Sequence, residues 1–160
     1  MKIIYLFIAI TFSLALNAQV TKVNLKASGL TCSMCSNSIN KALKTLDFVE
    51  NVVADLKTYT FEISFKPNSL VDFDKIKNKV EGAGFSVSEF TALINFNNLH
   101  LKIDEPVTIY NKTFLFVNLH EPLLNGLKEI KILNKGFVSP KEFRNNKYPA
   151  LLPGTFQVTI

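Results

Sequence analysis

Cys32 and Cys35 are the two side chains of this sequence best suited to do chemistry, and they are its only cysteines. Ser33 and Met34 separate them, a C-x-x-C spacing shared by redox dithiols and metal sites. As a structural staple the pair would add little, because a disulfide stabilises more when it closes a longer loop. Ligand counting narrows the metals. Structural zinc takes four ligands from Cys, His and carboxylate, whereas the only histidines, His100 and His120, lie far along the chain. Two thiolates alone suit a soft ion that tolerates low coordination, Cu(I) first and Hg(II) as the alternative. Such an unsaturated site leaves room for a partner's cysteine, which metal hand-over requires. The competing reading is a non-metal interaction protein with a Cys32–Cys35 redox pair. The chain has no Trp, and polar Thr31 and Ser36 flank the pair, unlike the aromatic setting of a thioredoxin-type enzyme. Paired carboxylates, a nucleophile–base arrangement and a phosphate-binding loop are not recognisable, so no enzyme is expected.

The flanking residues say how the pair is held. Val23, Leu25 and Ala27 alternate with Lys22, Asn24, Lys26 and Ser28, the pattern of a half-buried strand. Gly29-Leu30-Thr31 breaks it, and Thr31 or Ser33 can cap the helix that follows. In that helix Cys35, Ile39, Ala42 and Leu46 recur on one face, widened by Leu43. Cys35 therefore belongs to the first turn and the buried face, and Cys32 to the more exposed loop before it. Backbone N–H groups and the positive dipole end at a helix start favour thiolate. Met34 is expected to cover the site or face solvent.

A strand over Val49 to Leu56 comes next, then another in which Tyr59, Phe61, Ile63 and Phe65 alternate with polar residues. Phe73, Ile76, Val80 and Ala83 mark a second amphipathic helix, which Gly82 and Gly84 can end, and Phe85 and Val87 open a fourth strand. The order β-α-β-β-α-β is the ferredoxin-like split unit. From Thr91 helical periods vanish. Asn97-Asn98 is expected to separate two short strands, and Asn125-Gly126 to form a hairpin turn between Thr113–Leu119 and Leu127–Leu133. Pro153-Gly154 precedes a last strand with Phe156, Val158 and Ile160 in phase. The fold class expected is α+β: a ferredoxin-like domain over residues 19–90, able to fold and bind metal alone, then a small all-β sandwich or barrel over 91–160 of unknown role.

Residues 1–18 stand apart from that fold. Met1-Lys2, the apolar run Ile3–Leu16 and the small Ala18 have the layout of a secretory signal peptide cleaved after Ala18. The run is short for a membrane span, which needs roughly 20 apolar residues, and no lipid-bearing cysteine follows it, so no stable membrane anchor is expected. A periplasmic or secreted location follows. Removing residues 1–18, with one Lys and no acid, lowers the net charge from +5 to +4. Spread without a run of Lys or Arg, this charge marks a solvated surface and no nucleic-acid site.

Residues 20–90 resemble the heavy-metal-associated domain family, which includes copper chaperones, N-terminal modules of copper-transporting P-type ATPases and the periplasmic mercury-binding protein. The family's G-M-x-C-x-x-C loop reads here Gly29-Leu30-Thr31-Cys32-Ser33-Met34-Cys35, with Leu30 in place of Met, and Gly84-Phe85 opens the last strand as in the family. The resemblance implies a ferredoxin-like fold with Cys32 and Cys35 as metal ligands. It also implies a metal-donor or metal-acceptor partner, such as a copper-transporting ATPase or cuproprotein. It does not extend into residues 91–160.

Overall fold

The computed structural model describes residues 20–31, 33–102, 105–118, 122–146 and 153–160. β1 (Val20–Ser28), α1 (Ser33–Lys44), β2 (Val49–Asp55), β3 (Thr60–Phe65) and α2 (Phe73–Gly82) lead into β4 (Ser86–His100). The antiparallel order β2-β3-β1-β4 is that of the ferredoxin-like split unit. The alternation read from β1 is observed: Val23, Leu25 and Ala27 are buried, facing Phe61 and Ile63 of β3 and Phe90 and Ala92 of β4 through the registers Val23↔Ile63 and Leu25↔Phe90. The opposite face is polar, and Lys22 pairs there with Glu62 at 2.8 Å.

α2 ends where its sequence dictates. Asp72 caps α2 by accepting the Lys75 N–H at 3.0 Å. At the other end Gly84 adopts φ +90, and its N–H and that of Phe85 close onto Glu81 and Val80. Gly82 is the last residue of the helix and Ala83 its C-cap. The Asn40 side chain donates to the Val52 carbonyl at 3.3 Å and ties α1 to β2.

The second half departs from the expected sandwich or barrel. β5 (Val107–Ile109), β6 (Lys112–Phe116), β7 (Leu123–Ile132), α3 (Pro140–Asn145) and β8 (Thr155–Thr159) add four strands to the same sheet, giving the order β2-β3-β1-β4-β7-β8-β6-β5. The expected join near residue 91 falls inside β4, which pairs with β1 on one edge and with β7 on the other, from Thr91↔Lys131 to His100↔Leu123. An edge strand with unpaired backbone groups is a liability, and β7 satisfies the free edge of β4.

Two turn signals also resolve differently. Asn97 and Asn98 do not end a strand. The register steps from Phe96↔Gly126 to Leu99↔Leu124, so two residues of β4 oppose Asn125, a β-bulge. Asn98 adopts φ +46 and Gly126 φ +72, and the Asn98 N–H donates to the Asn125 side-chain oxygen at 3.4 Å. Asn125-Gly126 therefore supplies the left-handed backbone of a bulge, not of a hairpin turn, and β8 lies between β6 and β7. A tight hairpin instead joins β5 to β6 through Tyr110 and Asn111, both at positive φ, as a type I′ turn requires.

Phenylalanines knit the halves into one core. Phe73, the first residue of α2, has its ring centroid 5.3 Å from Phe90 of β4, 6.4 Å from Phe114 of β6 and 5.5 Å from Phe156 of β8. Phe137, from the loop after β7, packs on Phe90 at 5.2 Å and on Phe156 at 5.7 Å. Above it the Lys77 ammonium lies 4.9 Å from the Phe137 ring centroid, and Gly136 fits against the Lys77 and Glu81 side chains. These edge-to-face pairs add to the apolar area they bury.

Phe73→Ala should cost about 3–5 kcal/mol, the range for a large aromatic deleted from a core, and thermal unfolding should remain a single transition. A fragment ending at residue 90 would expose Phe73 and Phe90 together with the β4 edge. It should unfold at lower denaturant concentration than the whole chain and self-associate at concentrations where the whole chain does not.

Candidate metal site

β1 carries the chain to the loop that holds the cysteine pair. Ser28, its last residue, pairs with Ser86, and Gly29 then turns the backbone at φ +88. A side chain there would meet Phe85 at 3.9 Å, an ordinary contact, so the glycine is required by conformation and not by crowding. Leu30 turns inward and is buried among apolar residues, while Thr31 is exposed. α1 begins at Ser33. Cys32, the loop member of the expected pair, lies outside the described residues.

Cys35 occupies the first turn of α1, half-buried and packed against the core. The buried stripe is centred on Ser36, Ile39 and Leu43, one position on from the expected Cys35–Ile39–Ala42 line. Cys35 and Ala42 consequently sit on its flank. That offset leaves Cys35 half-buried, packed against the core without being enclosed by it. Electrostatics agree. The first turn contains no acidic residue, so nothing competes for the positive end of the dipole, and Lys41 and Lys44 stand in the last turn. A thiolate is favoured in such a place. Met34 is 79% exposed and lies about 100° around the helix from Cys35, so it faces solvent.

Three loops meet at this end of the sheet. Beside the Gly29 loop runs the β2–β3 turn, whose Tyr59 carbonyl accepts the Ala27 N–H at 3.1 Å, and the α2–β4 loop brings Phe85 against Gly29. Asp55 builds the turn. Its carboxylate accepts the Lys57 N–H and the Thr58 hydroxyl, both at 2.8 Å, and these bonds hold its pKa below the usual carboxylate value. Tyr59, expected at the start of β3, stands instead in the turn at φ +55. The Asp-x-x-Thr spacing over Asp55–Thr58 is the signal that could have separated it from the strand.

His100 does not join this cluster in the way a third ligand would. His100 is the last residue of β4, a 15-residue strand that starts beside the loop, and such a strand spans roughly 45 Å. His100 is exposed at the far end. His120 lies outside the described residues. Among the described residues no three His, Cys, Asp or Glu side chains gather as metal ligands.

A split βαββαβ unit with a cysteine in the first turn of α1 and a glycine at the end of β1 defines a class of small metal-binding modules. Residues 24–86 match the family model of the heavy-metal-associated domain, and this part of the chain is such a domain. The chain is 33% identical over 78 residues to a probable copper-transporting ATPase of Arabidopsis thaliana, and that match covers 49% of the chain and 8% of the ATPase. It is 36% identical over 76 residues to a probable copper-exporting P-type ATPase of Archaeoglobus fulgidus, covering 48% of the chain and 9% of the relative. The chain thus spans about a tenth of the length of these curated relatives. Among solved structures, the copper-binding domain of the P-type ATPase HMA7 is 34% identical with a TM-score of 0.39, over 42% of this chain and 90% of that domain.

Gly29→Ala should destabilise the chain by about 1–2 kcal/mol, the cost of a left-handed conformation for a residue with a Cβ. Chemical denaturation measures the loss. Because the added methyl meets only Phe85 at ordinary distance, Gly29→Asn, better suited to positive φ, should recover part of it.

Proposed function

We propose that this chain is an exported Cu(I)-binding protein that holds the ion between the Cys32 and Cys35 thiolates and passes it to a partner by ligand exchange. The observation that carries the reading is the place of Cys35: first turn of α1, half-buried, at the mouth of the glycine loop of a heavy-metal-associated domain. Similarity to domains of copper-transporting ATPases supports copper as the cargo. The signal-peptide layout of residues 1–18 supports export, with a periplasmic or secreted destination.

The chemistry needs no catalytic group. Cu(I) is content with two thiolates, so an acceptor's thiolate can enter as a third ligand before either of its own is released. Cys32, which precedes α1 in the sequence, is the ligand to leave first. Cys35, anchored by its contact with the core, leaves last. Each exchange replaces one Cu–S bond by another, and the released thiolate is returned to the positive end of the α1 dipole. Hg(II), equally satisfied by two sulfurs, is the second reading, favoured by the same ligand set.

Titration of the reduced full chain with Cu(I) against a competing chelator should give one ion per molecule. Cys32→Ser or Cys35→Ser should each weaken binding by at least ~10-fold, the lower bound found even for groups outside a metal's own ligand set. Unchanged affinity in the double variant would end the proposal. Bound copper should also slow air oxidation of the two thiols, and thiol counting with and without Cu(I) reads this directly.

A further inference from the structure

Ser36 is a serine where the fold asks for an apolar side chain. It belongs to the buried stripe of α1 with Ile39 and Leu43 and is only 1% exposed. Its hydroxyl oxygen nevertheless has no hydrogen-bond partner among the described residues. Alanine would fill the position at less cost, since it is the better helix former and buries no polar group. Two residues further along the same helix, Ser38 shows the usual remedy: its exposed hydroxyl donates to the Met34 carbonyl one turn back, at 3.1 Å. Ser36 makes no such bond. A buried polar group left unpaired costs stability and calls for a reason other than packing. Side chains of a helix lean toward its N-terminus, so the Ser36 hydroxyl is carried over the turn that precedes it. That turn is the first of α1 and holds Cys35, and the buried Leu30 of the glycine loop belongs to the same core.

We propose that Ser36 is a positioning residue of the metal site, whose hydroxyl donates a hydrogen bond to a ligand thiolate when Cu(I) is bound. This rests on the Cu(I) reading and adds a residue to it. A thiolate is the kind of acceptor such a hydroxyl requires. A protonated thiol accepts only weakly, whereas ligation removes its proton and makes the sulfur anionic. Hydrogen bonds to an ionised group are about twice as strong as neutral ones, and burial keeps water from competing for this one. Two thiolates around one monovalent cation leave the site anionic, and a buried donor offsets part of that charge. The other hydroxyls nearby, those of Thr31 and Ser33, belong to exposed residues. Metal binding thus satisfies a group that otherwise weakens the fold, and loading is coupled to stability through Ser36.

The test compares the wild-type full chain with Ser36→Ala, Ser36→Thr and Ser36→Val. Chelator competition reads Cu(I) affinity, and chemical denaturation reads the stability of the metal-free protein. Ser36→Ala should weaken Cu(I) binding by about 10-fold, the low end for a hydrogen bond to a charged group. The same change should raise the denaturation midpoint of the metal-free protein, an opposite sign that a packing role would not produce. Ser36→Thr keeps the hydroxyl and should bind Cu(I) close to the wild-type affinity. Ser36→Val has nearly the shape of the threonine variant without its hydroxyl and should lose affinity as Ser36→Ala does. Comparing these two keeps the test decisive even where a β-branched side chain lowers stability, because both carry the same extra methyl-sized bulk. Equal affinity in all four proteins would overturn the proposal. So would a metal-free Ser36→Ala protein less stable than wild type, because the hydroxyl would then already have a partner. A wild-type chain that binds no Cu(I), or a Cys32→Ser/Cys35→Ser variant that keeps full affinity, would overturn the Cu(I) reading and the role of Ser36 together. Two-cysteine binding that is indifferent to residue 36 would overturn the role of Ser36 alone.

Discussion

β4 is hydrogen-bonded along both edges, to β1 and to β7, and the rest of the molecule follows from that double pairing. A ferredoxin-like unit has β4 at its margin; here the strand runs on to His100 and becomes interior. Its inward residues Phe90, Ala92, Ile94 and Phe96 are buried against helices at one end and against the added strands at the other. The aromatic contacts of Phe73 span the same seam, joining the start of α2 to β6 and β8. Separating the halves would break a ladder and a core at once.

The site gains order from this arrangement. α2 is held between α1 and the loop carrying Gly136 and Phe137, and its C-terminal turn delivers Phe85 to the glycine loop. Cys35 depends on the packing of α1 on the sheet, where Ile39 and Leu43 are fully buried. The second half thus acts as a brace for the elements that present the thiol. His100, the one described residue of that half with imidazole chemistry, stands at the opposite end of β4.

Much of the first half was legible in the sequence because each of its elements obeys a local rule. Val23, Leu25 and Ala27 alternate as a strand facing one core must, and Phe73, Ile76 and Val80 step as a helix must. The second half obeys a rule that is not local. Asn98 and Gly126 have the left-handed preference of turn residues, and a bulge uses the same preference inside the continuing ladder of β4 and β7. Which use is realised depends on pairing across about thirty residues of sequence. Nor could alternation tell that Phe114 and Phe156 lie against Phe73 instead of facing a second, closed sheet. At the site the position of Cys35 was readable to within one residue of helix phase. The turn position of Tyr59 was not, because Tyr59 continues the strand's alternation while its backbone belongs to the turn.

Copper X-ray absorption on the reduced, Cu(I)-loaded full chain addresses the metal site most directly, since it counts and identifies the atoms bound to the ion. Two sulfur neighbours, with no nitrogen or oxygen in the inner shell, are predicted for Cu(I) held by Cys32 and Cys35. Imidazole scattering from a histidine, or an inner shell without sulfur, would contradict it.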